Sequence, residues 1–352
     1  MKRIFLAIAA SLALCMPQSQ ACTSMIVSSR ASASGRPLLW KHRDSSGGMN
    51  FVEHTAATDS TRGFSALYNG GDSLLLDAWT GVNDAGFAIM NTASYNLAPD
   101  TARLRDREGA VMALALRTCA TVDDFERLLR TLPRPMGVQA NFGVIDAAGG
   151  AAYFETDDHS FTRFDAEADP HGVLIRTNFS ETGAEGKGMG YIRCANARYL
   201  AADAIESGTV TPQLLTEVLS RSFYHSLLER DCLADTAQRW LVDQDFIPRH
   251  SSVASVVIEG AAPDSGDEAV MWTVIGYPPV GHVVAARAGH VPDELRPVRP
   301  GFTSPAAEEA DSLMHIVFPI DVGSGQRYID TRALRPIMER QHEISINNYN
   351  NK

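Results

Sequence analysis

Two stretches decide how this chain folds: Cys22-Thr23-Ser24 and, further on, Gly35-Arg36-Pro37-Leu38-Leu39-Trp40-Lys41-His42-Arg43-Asp44. The runs Ser24 to Ser28 and Leu38 to Lys41 read as β-strands, and a hairpin between them returns Asp44 to the side of Cys22. A carboxylate placed there can orient an amine on residue 22. An exposed strand end with ordinary surface ion pairs is the plainer alternative.

What precedes Cys22 supplies that amine. Met1-Lys2-Arg3, an apolar stretch from Ile4 to Leu14 and Pro17-Gln18-Ser19-Gln20-Ala21 read as a secretory leader with a small-x-small cleavage site. The apolar stretch is too short to span a bilayer as a helix. Cleavage after Ala21 makes Cys22 the N-terminus of an exported protein, periplasmic or secreted. A thiol of pKa about 8.5 is mostly protonated at neutral pH, and an α-amine of pKa about 7.7 to 8 on the same residue can take its proton. No histidine is then required. Lipid attachment or a disulfide competes for a cysteine just after a leader. Ser19-Gln20-Ala21 lacks the Leu and the small middle residue of a lipobox, and Leu12-Ala13-Leu14 puts a second Leu directly before Cys15, so lipidation is disfavoured.

Residues 1–21 are therefore expected to leave, and residues 22–352 to form a single domain, since no internal repeat or low-complexity linker marks a boundary. With 45% hydrophobic residues the chain can build a large core, and no second apolar stretch approaches membrane-helix length. The formal charge of −11 becomes −13 without Lys2 and Arg3, which argues against nucleic acid or an anionic membrane surface as partner. Cys119, Cys194 and Cys232 remain besides Cys22, an odd set with no framework spacing, and buried free thiols are expected. There is no C-x-x-C, H-E-x-x-H or EF-hand loop, so neither a metal nor another cofactor is expected.

Further strands are read at Gly86 to Asn91, Asn141 to Asp146, Ala151 to Glu155, Val173 to Thr177, Val253 to Glu259 and Val270 to Ile275. Asp146-Ala147-Ala148-Gly149-Gly150 is hairpin chemistry, and the loop with Pro263, Asp264 and Gly266 makes the last two strands antiparallel neighbours. Thr121 with Asp124 starts a helix as a capping box, and Thr211-Pro212 starts another carrying Leu214, Leu215, Val218 and Leu219. Val111 to Leu116, Ala195 to Ile205 and Ala333 to Arg340 are further helices. Antiparallel sheets with helices outside make a layered α+β architecture.

Cys22-Thr23-Ser24 with Gly35 to Asp44 resembles the cysteine N-terminal-nucleophile hydrolases. The likeness is to the choloylglycine hydrolase and penicillin V acylase group and to the related acyl-coenzyme A:6-aminopenicillanic acid acyltransferase group. It continues at Trp79-Thr80-Gly81-Val82-Asn83-Asp84-Ala85-Gly86-Phe87-Ala88-Ile89-Met90-Asn91, at Asn141-Phe142-Gly143-Val144-Ile145-Asp146, at Arg176-Thr177-Asn178-Phe179 and at Gly190-Tyr191-Ile192-Arg193. The last third of the chain matches only loosely.

The resemblance implies a four-layer αββα sandwich of two antiparallel sheets. It makes Cys22 the nucleophile and Asp44 the carboxylate holding its amine, Asn91 and Asn178 the oxyanion donors, and Arg193 the arginine closing the charge network. The family's Arg three residues before the aspartate is Lys41 here, so Lys41 or Arg43 supplies that cation. The implied activity is hydrolysis of a linear amide in a small N-acyl substrate through a thioester. A dipeptidase or acyltransferase is the alternative within the class, and a lipid-anchored periplasmic binding protein the alternative outside it. The acyl group, the amine and homo-oligomerisation are left open. Left equally open are the Gly183 to Gly190 stretch, a lid or a plain loop, and Trp40, Trp79 and Tyr95, acyl-pocket walls or core. His42 is read as structural.

Overall fold

The computed structural model describes residues 21–46, 49–97, 106–262, 267–320 and 327–351. The leader up to Gln20 and the turn at Pro263, Asp264 and Gly266 lie outside the described residues. In order, the chain forms β1 (Cys22–Val27), β2 (Leu38–Asp44), β3 (Asn50–Thr55), β4 (Phe64–Asn69), β5 (Thr80–Asn83) and β6 (Ala88–Ala93). Helices α1 (Glu108–Thr118) and α2 (Val122–Thr131) follow, then β7 (Ala140–Ile145), β8 (Ala151–Thr156), β9 (Phe161–Asp165), β10 (Val173–Arg176) and α3 (Tyr191–Ser207). The remainder holds short strands β11 (Tyr224–His225), β12 (Arg230–Asp231) and β13 (Trp240–Val242), the long pair β14 (Ser252–Glu259) and β15 (Val270–Ile275), then β16 (Val284–Ala286), α4 (Pro305–Val317), β17 (Tyr328–Asp330) and α5 (Thr331–Asn350).

Two antiparallel sheets dominate. The six-stranded sheet runs β10-β1-β2-β14-β15-β16, and the seven-stranded sheet is a meander from β3 to β9. Their facing sides share one core: Ile26, Leu39, Val256 and Met271 from the first sheet join Met90, Phe142, Val144 and Tyr153 from the second. Helices α1 and α2 bury Val111, Met112, Leu116, Phe125 and Leu129 on the outer face of the seven-stranded sheet. On the other side α3 and α5 contribute Cys194, Ala197, Ala201 and Tyr349 to a core with Met25, Trp40 and Trp272. This is the four-layer αββα sandwich, with helices outside two stacked sheets.

Local chemistry explains the main elements. Thr121 accepts from the Asp124 backbone N–H while Asp124 reaches back to the cap, which starts α2 and is worth about 1 kcal/mol. Between β7 and β8, Asp146 Oδ1 accepts from the Ala148 and Gly150 N–H groups at 2.9 and 2.8 Å, and Gly149 takes the positive φ of 91°. Gly143 marks a close approach of the sheets, because a Cβ there would lie 2.3 Å from Met90 Cε and 3.0 Å from Ile26 Cδ1. The Thr211-Pro212 segment differs from a regular helix: it closes as a wide π turn at Leu214–Val218 and a 3-10 turn at Leu219–Arg221. There Thr216 Oγ1 bonds back to the Pro212 carbonyl at 3.1 Å and Ser220 Oγ to that of Leu215 at 2.7 Å. Cys22, Cys119, Cys194 and Cys232 are free and buried. Among the described residues, no helix is long and apolar enough to cross a membrane.

Candidate active site

Cys22 is the first residue of β1, and it pairs with Arg43 near the end of β2. Strand alternation sends Cys22, Ser24 and Ile26 toward the opposing sheet, where Ser24 Oγ meets Tyr153 Oη at 2.7 Å. Lys41 and Arg43 point the same way from β2, whereas His42 and Asp44 point to the outer, helical side. The nitrogen of Cys22, here still joined to Ala21, occupies the place of the α-amine that cleavage would expose. It donates to Asn178 Oδ1 at 2.9 Å. Arg193 Nη2 donates to the same oxygen at 2.8 Å, and Arg193 Nη1 to the Cys22 carbonyl at 2.5 Å and to Thr23 Oγ1 at 2.9 Å. Asn178 Nδ2 donates to the Ala93 carbonyl at 2.9 Å. Asn178 is thus seen gripping the nitrogen of Cys22 through its oxygen, where the resemblance implied an N–H donor for the acyl oxygen.

Two buried cations on the inner side of β2 lie close enough to Cys22 to feel its charge. Lys41 Nζ donates to the Trp79 carbonyl and to Asn91 Oδ1, both at 2.7 Å. Arg43 donates to Asn50 Oδ1 at 3.0 Å and Asn69 Oδ1 at 2.9 Å, and its guanidinium lies 4.7 Å from the Trp79 ring centre. Their direct partners are neutral, so a positive field is left where a thiolate or oxyanion would form. Burial lowers Lys41 to about 7, opposed by the nearby Cys22. Burial also lowers Arg43 and Arg193, each to about 10, which leaves both charged at neutral pH.

The outer side of β2 is organised differently. Asp44 Oδ2 receives Arg249 through Nε at 3.2 Å and through Nη2, and Asp44 Oδ1 receives Ser252 Oγ at 2.6 Å. Since Ser252 donates to Asp44, it accepts from His42 Nε2, 2.8 Å away, which fixes the tautomer of a neutral imidazole. Burial pushes His42 down to about 4, against the pull of Asp44. Burial works to raise the Asp44 carboxyl, but Arg249, with His42 and Arg193 behind it, outweighs that and holds it below its ordinary value. The backbone N–H of Asp44 donates to the Ala21 carbonyl at 2.9 Å, so this residue holds the chain just before Cys22. Its carboxylate meets Arg249 and Ser252 rather than the nitrogen of Cys22. A cavity of about 560 Å³, lined by Ser45, Asp243, Arg249, Ser252, Tyr277 and Met314, opens beside this cluster.

The sequence reading missed Arg249 and Ser252. The available signal was the polar cluster Arg249-His250-Ser251-Ser252 at the head of an apolar strand, the mirror of Lys41 to Asp44 at the foot of β2. The register pairs Ser252 with Asp44. The Asn178 loop is anchored by the buried pair of Arg176 with Glu155 at 2.7 Å, and Glu155 also accepts from the Glu181 and Thr182 N–H groups at 2.9 and 2.8 Å. Gly190, at φ 86°, caps α3, and a Cβ there would lie 2.4 Å from Arg193 Nη2. That glycine lets Arg193 fold back from the first helical turn to Cys22. Of the three aromatic residues, Trp79 packs against the site's cations, Tyr95 is exposed, and Trp40 is core on the far side of the sheet.

Two facing antiparallel sheets under outer helices, with a cysteine opening the first strand between them, define the N-terminal-nucleophile class of enzymes. Residues 45–261, more than half the chain, match the model of the acyl-coenzyme A:6-aminopenicillanic acid acyl-transferase family, and the chain belongs to that family. The match covers Asn91, Asn178 and Arg193 and begins one residue after Asp44. Among solved structures, the chain is similar to a Caenorhabditis elegans ortholog of N-acylethanolamine-hydrolyzing acid amidase. Identity is 13% over 70% of this chain and 96% of that one, with a TM-score of 0.42. It is similar to a mutant of conjugated bile acid hydrolase from Clostridium perfringens at 11% identity, over 76% and 92% of the chains, with a TM-score of 0.45. Penicillin V acylase from Agrobacterium tumefaciens gives 13% identity over 76% and 86%, with a TM-score of 0.40. No curated protein matches the chain.

Proposed function

We propose that this chain is exported, cut after Ala21, and then acts as an amidohydrolase that cleaves the linear amide bond of a small N-acyl substrate through a thioester on Cys22. The observation that carries this reading is the fixed nitrogen of Cys22. It is held by Asn178 Oδ1 at 2.9 Å on a residue that lies within the electrostatic reach of Lys41 and Arg43. Cleavage turns that nitrogen into an amine beside its own thiol. The amine takes the thiol proton, and the thiolate adds to the amide carbonyl. Asn91 Nδ2 donates to the resulting oxyanion, with the field of Lys41 and Arg43 behind it. The C–N bond then breaks as the α-amine returns its proton to the leaving nitrogen. Water adds to the thioester by the same route, releasing the acid and restoring the thiol. Asn178 and Arg193 keep the amine and the Cys22 carbonyl in place, and Asp44 holds the chain at the cleavage point.

Membership of an acyl-transferase family supports a second outcome, in which an amine replaces water as acceptor of the same thioester. Intact mass of the exported protein before and after brief iodoacetamide treatment tests the premise, followed by N-acyl amides, free-amine dipeptides and added acceptor amines as substrates. Support is a chain starting at Cys22 with one fast thiol that Cys22→Ala abolishes together with turnover. A retained leader or a diacylglycerol adduct would remove the catalytic amine and end this reading.

A further inference from the structure

Lysine is scarce in this chain: among 31 Lys and Arg residues only Lys2, Lys41, Lys187 and Lys352 are lysines. One of the four is buried at the nucleophile. Lys41 is 1% exposed, with Nζ 2.7 Å from the Trp79 carbonyl, 2.7 Å from Asn91 Oδ1 and 5.7 Å from the Trp79 ring centre. The charged or titratable groups acting on it are Cys22 on β1, Arg43 on β2 and Glu108 on α1, while β6 offers the neutral Asn91 and the segment before β5 the neutral Trp79. An ammonium carries three donors and no acceptor. It can therefore take the Asn91 carboxamide only by its oxygen, which turns the NH2 end away from Lys41. A neutral amine has a lone pair, accepts an N–H as readily, and dictates neither orientation.

Resting on the amidohydrolase reading above, we propose that Lys41 is the positioning residue of the oxyanion site: as an ammonium it holds Asn91 by Oδ1 with Nδ2 turned to the acyl oxygen, and on losing its proton it releases that orientation. Of the three buried cations around Cys22, Lys41 is the one that changes charge near neutral pH, because burial brings it to about 7 while Arg43 and Arg193 stay at about 10. The sign follows directly. Activity requires the α-amine, ordinarily at about 7.7 to 8, to be neutral and Lys41, at about 7, to be charged, so only a fraction of the molecules meets both conditions and loss of the Lys41 proton limits activity on the alkaline side. Negative charge at Cys22 raises Lys41.

The test combines solution NMR with kinetics on the processed protein. Lysine labelled with 13C at the ε-carbon gives few signals, and Lys41→Arg assigns one of them. That carbon is expected to titrate near 7, and the Asn91 Nδ2H2 signal, assigned through Asn91→Ser, should move with the same midpoint in the parent and stay fixed in Lys41→Arg. In kinetics, Lys41→Arg keeps a charged residue and moves the alkaline edge up by about two pH units or more. Lys41→Met lowers kcat about 100-fold, and adding Asn91→Ser costs little more, because the two act as one unit. An ε-carbon titrating above about 10, the ordinary lysine range, an unmoved edge in Lys41→Arg, or fully additive losses would overturn the proposal. The NMR measurements need no substrate. An absence of amide turnover with the Lys41 and Asn91 signals moving together would sink the amidohydrolase reading and leave the Lys41–Asn91 coupling standing.

Discussion

The two faces of β2 carry charge in opposite ways. On the outer face Asp44 is met by Arg249 and Ser252, and His42 is neutral and bonded, so the charge there is paired and hydrogen-bonded. On the inner face Lys41 and Arg43 are just as buried, yet their hydrogen bonds go to amide oxygens. A folded protein keeps buried charge unpaired at a cost of several kcal/mol, and such groups concentrate where negative charge appears during a reaction. The outer face is therefore read as scaffold and the inner face as machinery. Substitutions on the two faces should separate stability from turnover.

Arg249→Met should give the largest effect and break the outer face. It leaves the Asp44 carboxylate buried without its cation, a loss of about 3 to 5 kcal/mol by denaturant titration. The pH dependence follows from the direction of the shift. With Arg249 present the folded carboxyl sits below its ordinary value, so its stabilisation is in place above that value and lost as pH falls through the lowered one. Without Arg249 burial dominates and the folded carboxyl rises. The deficit of the variant should then be greatest near pH 7 and shrink as acid protonates Asp44. Asp44→Asn combined with Arg249→Met should recover much of the loss, and independent, additive losses would show that the pair is not a unit.

Arg43→Met should do the reverse. Removing a buried cation whose partners are Asn50 and Asn69 relieves its desolvation, so the melting temperature should stay within a few degrees of the parent or rise. Turnover should fall about 100-fold, the usual cost of one preorganised electrostatic group. A destabilised but fully active Arg43→Met would reverse the assignment of the two faces.

The same contrast explains what could be read from sequence. Ser24 to Ser28 and Leu38 to Lys41 were legible as strands because apolar residues mark them. The strands in fact run on through Cys22-Thr23 and His42-Arg43-Asp44, all buried, and buried polar residues are what composition assigns to a surface. Glycine and aspartate at 146 to 150 and the box at Thr121 were legible because turn and cap chemistry is local. Arg249 acts on Asp44 across 205 residues, and nothing near either one announces that β2 and β14 are neighbours. Asn91, Asn178 and Arg193 were reached through family resemblance, since an asparagine at a strand end is ordinarily a turn. The Ser304-Pro305 start of α4 carried the same signals as Thr211-Pro212 and went unread, while the latter, read as a helix, closed as π and 3-10 turns.

Ser252→Ala makes the finest cut. Ser252 donates to Asp44 at 2.6 Å and accepts from His42 at 2.8 Å and from the Arg249 backbone N–H at 2.9 Å, so its loss takes a partner from one carboxylate lone pair, one imidazole N–H and one backbone N–H. Asp44 keeps Arg249, which carries most of the compensation, and the expected destabilisation is about 1 to 3 kcal/mol. If the outer face is scaffold alone, kcat at saturating substrate should change by less than about threefold, a barrier difference of about 0.65 kcal/mol. Asp44 also grips the Ala21 carbonyl through its own backbone, at 2.9 Å, and a loosened Asp44 should show first in leader removal. Slower appearance of the chain beginning at Cys22, with a mature enzyme of ordinary kcat, is the expected pattern. A large fall in the kcat of fully processed Ser252→Ala would extend the catalytic machinery through the strand to its outer face.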